Sequence, residues 1–230
     1  MTRARTSSRS TAARNGRRRT GRRLGIVVTA GPTREYVDPV RFLSNESSGR
    51  MGFALAAEAA KAGHRVTLIA GPVGLPTPPG VERVDVVSAR EMLAALRRAF
   101  READALFMAA AVADFRPRRR LAGKWKKKED GEREAVLELV QNPDLLATVA
   151  KRKGRRTVIG FALETGDGVR RAMDKLRRKN ADYVVLNDPS VLNAGRSSVT
   201  VLGPEGEQLT VQDRPKDEVA RALLGLLDRS

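Results

Sequence analysis

From Leu24 onward the chain falls into short apolar runs separated by amphipathic stretches. Leu24 to Ala30 is apolar and stops at Gly31-Pro32, the pattern of a strand buried on both faces. A polar loop follows to Ser48, and Met51 to Lys61 has the composition of a helix closed by Gly63. Arg65 to Ala70 predicts a second strand, Val84 to Val87 a third, Ala89 to Arg101 a helix and Ala105 to Ala110 a fourth strand. Residues 113–134 break this rhythm with a long basic segment, after which Val136 to Val140 alternates like a strand. Asn142-Pro143 predicts a helix start, with Asn as N-cap and Pro at the first position. Thr157 to Leu163 reads as a strand, Gly168 to Lys179 as a helix and Tyr183 to Leu186 as a strand. Val199 to Leu202 and Gln208 to Val211 form a hairpin around Pro204 to Gly206, and Pro215 to Leu227 a closing helix. Strands alternating with helices imply an α/β fold: a doubly wound, mainly parallel, Rossmann-like sheet with a small C-terminal β-hairpin and a mobile basic loop. Such sheets bind ligands at the carboxyl ends of their strands, near the switch point.

Composition narrows the chemistry. Aromatics make up only 4% of the chain, so the core must rest on Ala, Val and Leu. No run approaches the roughly 20 uncharged apolar residues that span a bilayer, and a cytoplasmic location is expected. There is no cysteine, which excludes disulfides, thiolate metal sites and cysteine nucleophiles, and His64 is the sole histidine, which excludes a multi-His metal site. The net charge of +17 is uneven: residues 1–23 hold nine arginines and no acid, leaving +8 for the rest. That tail is expected to be disordered, with residues 24–230 forming one nucleotide-binding domain. It reads as a solvated extension, a nucleic-acid-binding arm or a transit-like leader; a nucleic-acid partner is disfavoured because one tail decides little.

Several familiar sites are absent. The first strand–helix connection offers Gly49-Arg50-Met51-Gly52 in place of Gly-x-Gly-x-x-Gly, and the second strand ends at Ala70-Gly71 without an acid for a ribose. Neither Tyr36 nor Tyr183 is followed four residues on by lysine, and no P-loop exists. These absences count against an NAD(P) or flavin oxidoreductase, which stays as the alternative. What is present is polar and small. Ser47-Ser48-Gly49 precedes a helix, as a phosphate-binding loop or as an ordinary cap. The long loop from Gly31 to Gly52 suggests a working segment. Ala109-Ala110-Ala111-Val112-Ala113-Asp114 ends the fourth strand, and Asp114 suits Mg²⁺, a ribose or phosphate-bound water, or a loop cap. Lys124-Trp125-Lys126-Lys127-Lys128 is a polyanion-binding loop or a solvated face, and Lys175 and Lys179 share one helix face. His64 sits in a tight turn away from the carboxyl edge and reads as structural. With no protein nucleophile in place, activation must pass between bound substrates.

The run Gly31-Pro32-Thr33, Asp38-Pro39-Val40-Arg41, Ser44-Asn45, Ser47-Ser48-Gly49 and Met51-Gly52 resembles the opening motif of the phosphopantothenate–cysteine ligases, the phosphopantothenoylcysteine synthetases of coenzyme A synthesis. Ala110 to Asp114, Lys124-x-Lys126-Lys127, Asn142-Pro143-Asp144, Gly160 to Thr165, Lys175-x-x-x-Lys179 and Val185 to Asp188 follow in that family's order. The likeness is to the bacterial, CTP-dependent type, here without the flavin-dependent decarboxylase domain often fused ahead of it, so a separate decarboxylase partner is conceivable. The resemblance implies a homodimer that uses CTP, Mg²⁺, 4'-phosphopantothenate and cysteine. It implies CTP contacts at Ala109, Ala110, Asp114, Lys124, Asn142, Pro143, Asp144, Leu145, Phe161, Lys175 and Lys179, with Asp114 also at the metal. It implies that Asn45 holds an acyl-cytidylate, that Lys124 drives its conversion to product and that Arg41 supports the dimer.

Overall fold

The structure is a computed structural model that describes residues 22–126, 134–164, 166–187 and 195–229. Eight strands form one sheet: β1 (Gly25–Ala30), β4 (Arg65–Ala70), β5 (Val81–Asp85), β6 (Ala105–Met108), β9 (Thr157–Leu163), β10 (Tyr183–Asn187), β11 (Arg196–Gly203) and β12 (Gly206–Pro215). Their order is β12-β11-β10-β9-β6-β1-β4-β5, parallel from β10 to β5 and antiparallel at β11 and β12. The chain winds outward from β1 through β4 to β5, then restarts at β6 and winds the other way. The switch point therefore lies between β1 and β6, as a doubly wound Rossmann-like sheet requires.

Helices α1 (Arg50–Lys61), α2 (Ala89–Ala99), α3 (Leu145–Ala150), α4 (Gly168–Lys179) and α5 (Lys216–Leu224) cover the sheet. Successive β1 residues serve opposite faces: Ile26 and Val28 pack with Leu55 of α1 and Leu223 of α5, while Val27 packs with Leu96 of α2 and Val149 of α3. That two-sided burial explains why β1 is an apolar run and not an alternating one. Two glycines bring the site loop close to the sheet. A Cβ on Gly52 would lie 2.5 Å from the Ala30 Cβ, so α1 can sit tight on β1. A Cβ on Gly71 would lie 1.8 Å from the Pro32 carbonyl, so only glycine lets the end of β4 pass the loop after β1.

The structure departs from the sequence expectations in several places, among them the third strand, expected over Val84 to Val87 and found over Val81–Asp85, and the fourth, expected to Ala110 and ending at Met108. The polar loop to Ser48 contains a hairpin, β2 (Arg34–Tyr36) with β3 (Phe42–Ser44). The basic segment opens with β7 (Phe115–Pro117), which pairs with β8 (Leu139–Gln141). The expected strand from Val136 begins only at Leu139, and Val136 is 88% exposed with no apolar surface to hold it. Finally, the N-cap of α3 is Asp144, not Asn142: the Asp144 carboxylate accepts the Ala147 N–H at 2.9 Å. The expected disordered tail lies, to residue 21, outside the described residues, as do Lys127 and Lys128. The Arg22 guanidinium pairs with Asp104 at 2.9 Å. His64 has the structural role expected of it, its Nδ1 accepting the Leu24 N–H at 3.3 Å. Among the described residues no helix is long and apolar enough to cross a membrane.

Candidate functional site

At the carboxyl ends of β1, β6, β9 and β10 the surface opens into two adjoining lobes, of about 550 and 410 Å³. Ala110, Val112, Asp114, Phe161 and Lys175 belong to the walls of both. The first lobe is completed by Asn142, Pro143, Asp144 and Leu145 at the entry to α3, and by Lys179 on α4. The second is completed by Asn45, Ser47, Ser48 and Gly49 ahead of α1, and by Ala109. Of the CTP contacts implied by resemblance, the structure therefore gathers all but two around the first lobe. Ala109 faces the second, and Lys124 is exposed and lines neither.

Short polar links hold the loops in register. The Asn45 amide donates to the carbonyls of Ala111 and Val112 at 3.3 and 3.1 Å, so Asn45 is fixed against the loop after β6. The Thr33 hydroxyl accepts the Ala113 N–H at 3.0 Å. Asn142 is buried: its amide donates to the Ala113 carbonyl at 2.9 Å, and its backbone N–H to the Asp114 carbonyl at 2.7 Å. It therefore latches the mouth of the first lobe instead of capping a helix. Gly49, not a serine, precedes α1, with φ of 74° and no side-chain cap, and the first turn of α1 lines the second lobe.

The charges in the first lobe are interlocked. Burial alone would raise the pKa of Asp144, but the hydrogen bond from Lys179, the Ala147 N–H and the charges of Lys179 and Lys175 together lower it. The Lys175 ammonium donates to the Phe161 carbonyl at 2.6 Å. Burial lowers its pKa, reinforced by Lys179 and opposed by Glu164, Asp144 and Asp114. A desolvated lysine surrounded by mixed charges suits an incoming polyanion, whose negative charge favours the ammonium form.

Arg41 and Asp38 serve the basic segment. The fully buried Asp38 carboxylate uses Oδ1 to accept the Val40 and Arg41 N–H groups, each at 2.7 Å. Its Oδ2 accepts from the Arg41 guanidinium at 2.8 Å and from the Trp125 N–H at 3.0 Å. Arg41 also donates to the Trp125 carbonyl at 2.8 Å. Burial pushes the Asp38 pKa up, but these donors outweigh it and hold it far below the carboxylate range. Both backbone polar groups of Trp125, the neighbour of Lys124, are thus moored to the β2–β3 turn. Asp38→Asn separates the two jobs of this carboxylate. The amide oxygen can keep the turn, while the amide N–H group opposes two donors. Trypsin cleavage after Lys124 is expected to speed up by about tenfold or more with little change in melting temperature. An unchanged cleavage rate would show that Asp38 does not hold this segment.

Sequence reasoning missed part of the site. Arg171, Asp174 and Arg178 line the first lobe beside Lys175 and Lys179, and helical periodicity from those two lysines could have found them. Asn187, Ser197 and Lys216 line the second lobe. Asn187 stands in one of the family-like blocks; for Ser197 and Lys216 no local signal exists.

The chain is similar to known proteins along nearly all of its described length. The family described as DNA/pantothenate metabolism flavoprotein C-terminal domain matches residues 21–229. The coenzyme A biosynthesis bifunctional protein CoaBC of Escherichia coli (strain K12) is 43% identical over 206 residues, covering 87% of this chain and 50% of that protein. The chain thus spans about half the length of the curated relatives it matches. The crystal structure of the C-terminal domain of a coenzyme A biosynthesis bifunctional protein CoaBC superposes with a TM-score of 0.76 at 38% identity, covering 89% of this chain and 93% of that one. The DNA/pantothenate metabolism flavoprotein from Streptococcus pneumoniae superposes with a TM-score of 0.78 at 24% identity, covering 90% and 99%, and supports the fold.

Proposed function

This chain belongs to the DNA/pantothenate metabolism flavoprotein C-terminal domain family, and we propose that it is a phosphopantothenate–cysteine ligase of coenzyme A biosynthesis that uses CTP. The observation that carries this reading is the pair of lobes meeting at Asp114, Phe161 and Lys175. A ligase of this kind needs two anionic substrates to meet end to end. CTP takes the first lobe, against Asn142, Pro143, Asp144 and Leu145, with Lys175 and Lys179 toward its phosphates. 4'-Phosphopantothenate takes the second, against Ser47, Ser48 and Gly49.

At the shared wall the phosphopantothenate carboxylate attacks the α-phosphorus of CTP. A P–O bond forms to the acyl oxygen, the α–β bridge breaks, and pyrophosphate leaves with the bond's electrons. The cysteine amine then attacks the acyl carbon, CMP departs and the amine loses a proton. Ala109 and Ala110 leave room for the reacting groups, and Asn45 positions the acyl-cytidylate. The chain contributes placement and charge, and no covalent intermediate with the protein is required.

Asp114 is exposed at the shared wall, and among the described residues no group of three or more His, Cys, Asp or Glu could enclose a metal. A single carboxylate of this kind fits Mg²⁺, which draws its remaining ligands from phosphates and water and would neutralise triphosphate charge there. A homodimer is part of the same reading, supported by the exposed Phe42, Phe115 and Leu139 on the two small hairpins. The deciding assay follows pyrophosphate release with each of the four nucleoside triphosphates, with and without phosphopantothenate and cysteine. CTP is expected to react only when phosphopantothenate is present. Release that ignores the acid, or no reaction with any triphosphate, would remove the ligase from consideration.

A further inference from the structure

A basic ridge lies at the end of the sheet opposite the cleft. Helices α2 and α3 end shortly before β6 and β9 begin, so both C-termini stand at the amino edge of the parallel strands. Arg156 joins the two helix ends. Its guanidinium donates to the Phe100 carbonyl at 2.5 Å and the Lys153 carbonyl at 2.7 Å, donates also to the Arg152 carbonyl, and lies over the Phe100 ring at 4.4 Å. This contact brings Arg101, just past α2, beside Lys151, Arg152 and Arg155, just past α3, and Arg97 stands one turn back along α2. All five side chains are exposed. The chain itself reaches the same edge at Arg22, which pairs with Asp104 at 2.9 Å, and the Asp104 carbonyl accepts the Thr157 N–H at 3.0 Å.

The neighbouring carboxylates are already engaged. Asp104 takes Arg22 and the Gly25 N–H, Asp182 takes Lys153 at 2.6 Å and the Val158 N–H, and Glu102 meets Arg65 at 3.8 Å. Among the described residues none pairs with Arg97, Arg101, Lys151, Arg152 or Arg155. Helix dipoles favour cations at C-termini, which accounts for Arg97 and Lys151 but not for Arg155 in the turn beyond α3. The kind of partner follows from what else the ridge offers. Phe100 is buried, and none of the large exposed apolar residues lies here, so the ridge has neither the apolar centre of a protein interface nor a ring on which a base could stack. Seven further arginines and no acid lie in residues 1–21, with no large apolar residue after Met1 to enter a membrane. That tail alone decides little; the folded ridge is an independent observation of the same charge.

We propose that the ridge of Arg97, Arg101, Lys151, Arg152 and Arg155 binds the phosphate backbone of a nucleic acid duplex without reading its bases. Guanidinium groups match phosphate oxygens in fork geometry, and a string of phosphodiesters supplies the counter-charge that the ridge lacks. The proposal does not depend on the ligase reading, because the ridge lies at the amino ends of the strands and the cleft at their carboxyl ends.

The test is fluorescence anisotropy of a labelled mixed-sequence DNA duplex with the full chain over a series of salt concentrations. The ridge variant combines Arg101→Gln, Arg152→Gln and Arg155→Gln, and leaves Arg156 to hold the carbonyls. A control variant removes the same charge elsewhere, with Arg170→Gln, Arg177→Gln and Arg214→Gln. Each phosphate contact adds about −0.9 to the slope of log affinity against log salt, so the ridge variant is expected to flatten the slope by about 2.7 and to weaken binding about 10²–10³-fold at about 0.1 M salt. The control variant is expected to keep the wild-type slope. No binding by the wild type, an unchanged slope in the ridge variant, or an equal loss in the control overturns the proposal. So does poly-glutamate that competes as well as DNA, which would make the partner an acidic protein. Should the ridge variant not fold, Arg155→Gln alone must flatten the slope by about 0.9, and no change overturns the proposal.

Discussion

Lys175→Met is expected to lower kcat/KM for CTP about 10²-fold while leaving the melting temperature at neutral pH unchanged or raised. The activity loss follows from position. Lys175 belongs to the walls of both lobes, with its ammonium fixed on the Phe161 carbonyl at 2.6 Å. Losing one preorganised donor at a site of developing phosphate charge costs about 10²–10³ in rate. The stability expectation follows from linkage. Burial lowers the Lys175 pKa in the folded protein below the ordinary lysine value of 10.5. The unfolded chain therefore binds the proton more tightly, and the protonated lysine costs stability below its folded pKa. That cost fades as pH rises from the folded pKa toward 10.5, so stability contributed through this group increases over that window. Methionine has similar length, no charge and no such cost. Thermal unfolding alongside CTP titration checks both halves. A large fall in melting temperature with CTP affinity intact would mark Lys175 as a structural lysine.

How much of this was legible in the sequence depended on how completely each element is buried. β4, β9 and α4 match their expected bounds residue for residue, and β1 differs by one. β1, β4 and β9 are apolar runs inside the parallel sheet, and β1 and β4 end at a glycine that turns the chain. β2 and β3 have three residues each and only one buried position between them, so no alternation could announce them. The β11–β12 hairpin was found but drawn too short, because its outer strand is largely polar and exposed. The α3 cap was misplaced for a different reason. Asn142 and Asp144 are both good caps by type, and only the tertiary fold assigns Asn142 to the Ala113 carbonyl and leaves Asp144 to the helix.

The candidate site divides in the same way. Residues of most family-like blocks converge on one cleft because those blocks lie at strand ends around the switch point, whereas Arg41 and Lys124 stand outside its walls. Lys216 and Ser197 reach that cleft only because β11 and β12 run antiparallel along the far side of β10 and return the chain to it. No local pattern encodes that return. Arg41 shows the opposite case: the residue was singled out, but its guanidinium is committed within the chain, to Asp38 and Trp125. Its assignment to a dimer contact remains an expectation to be tested beside Asp38→Asn.

Lys124→Gln is expected to spare pyrophosphate release and to cut final product formation about 10²–10³-fold, the scale set by removal of one preorganised donor. The two half-reactions ask for different things. Cytidylyl transfer needs charge neutralised along a triphosphate, and Lys175 and Lys179 line the lobe proposed for it while Lys124 does not. Once pyrophosphate has left, the acyl-cytidylate carries much less charge. Attack by the cysteine amine then builds negative charge on the acyl oxygen and on the departing CMP. A single ammonium on a flexible four-carbon stem can stabilise both. Lys124 is exposed, and the neighbouring Trp125 is moored by Asp38 and Arg41, which fixes the point from which that stem extends. Glutamine keeps much of the length but removes the charge. Rapid-quench measurement with labelled CTP should therefore show near-normal early pyrophosphate release, followed by accumulation of bound acyl-cytidylate. If pyrophosphate release instead collapses in parallel with product, Lys124 serves the triphosphate, and the two steps do not divide the lysines in this way.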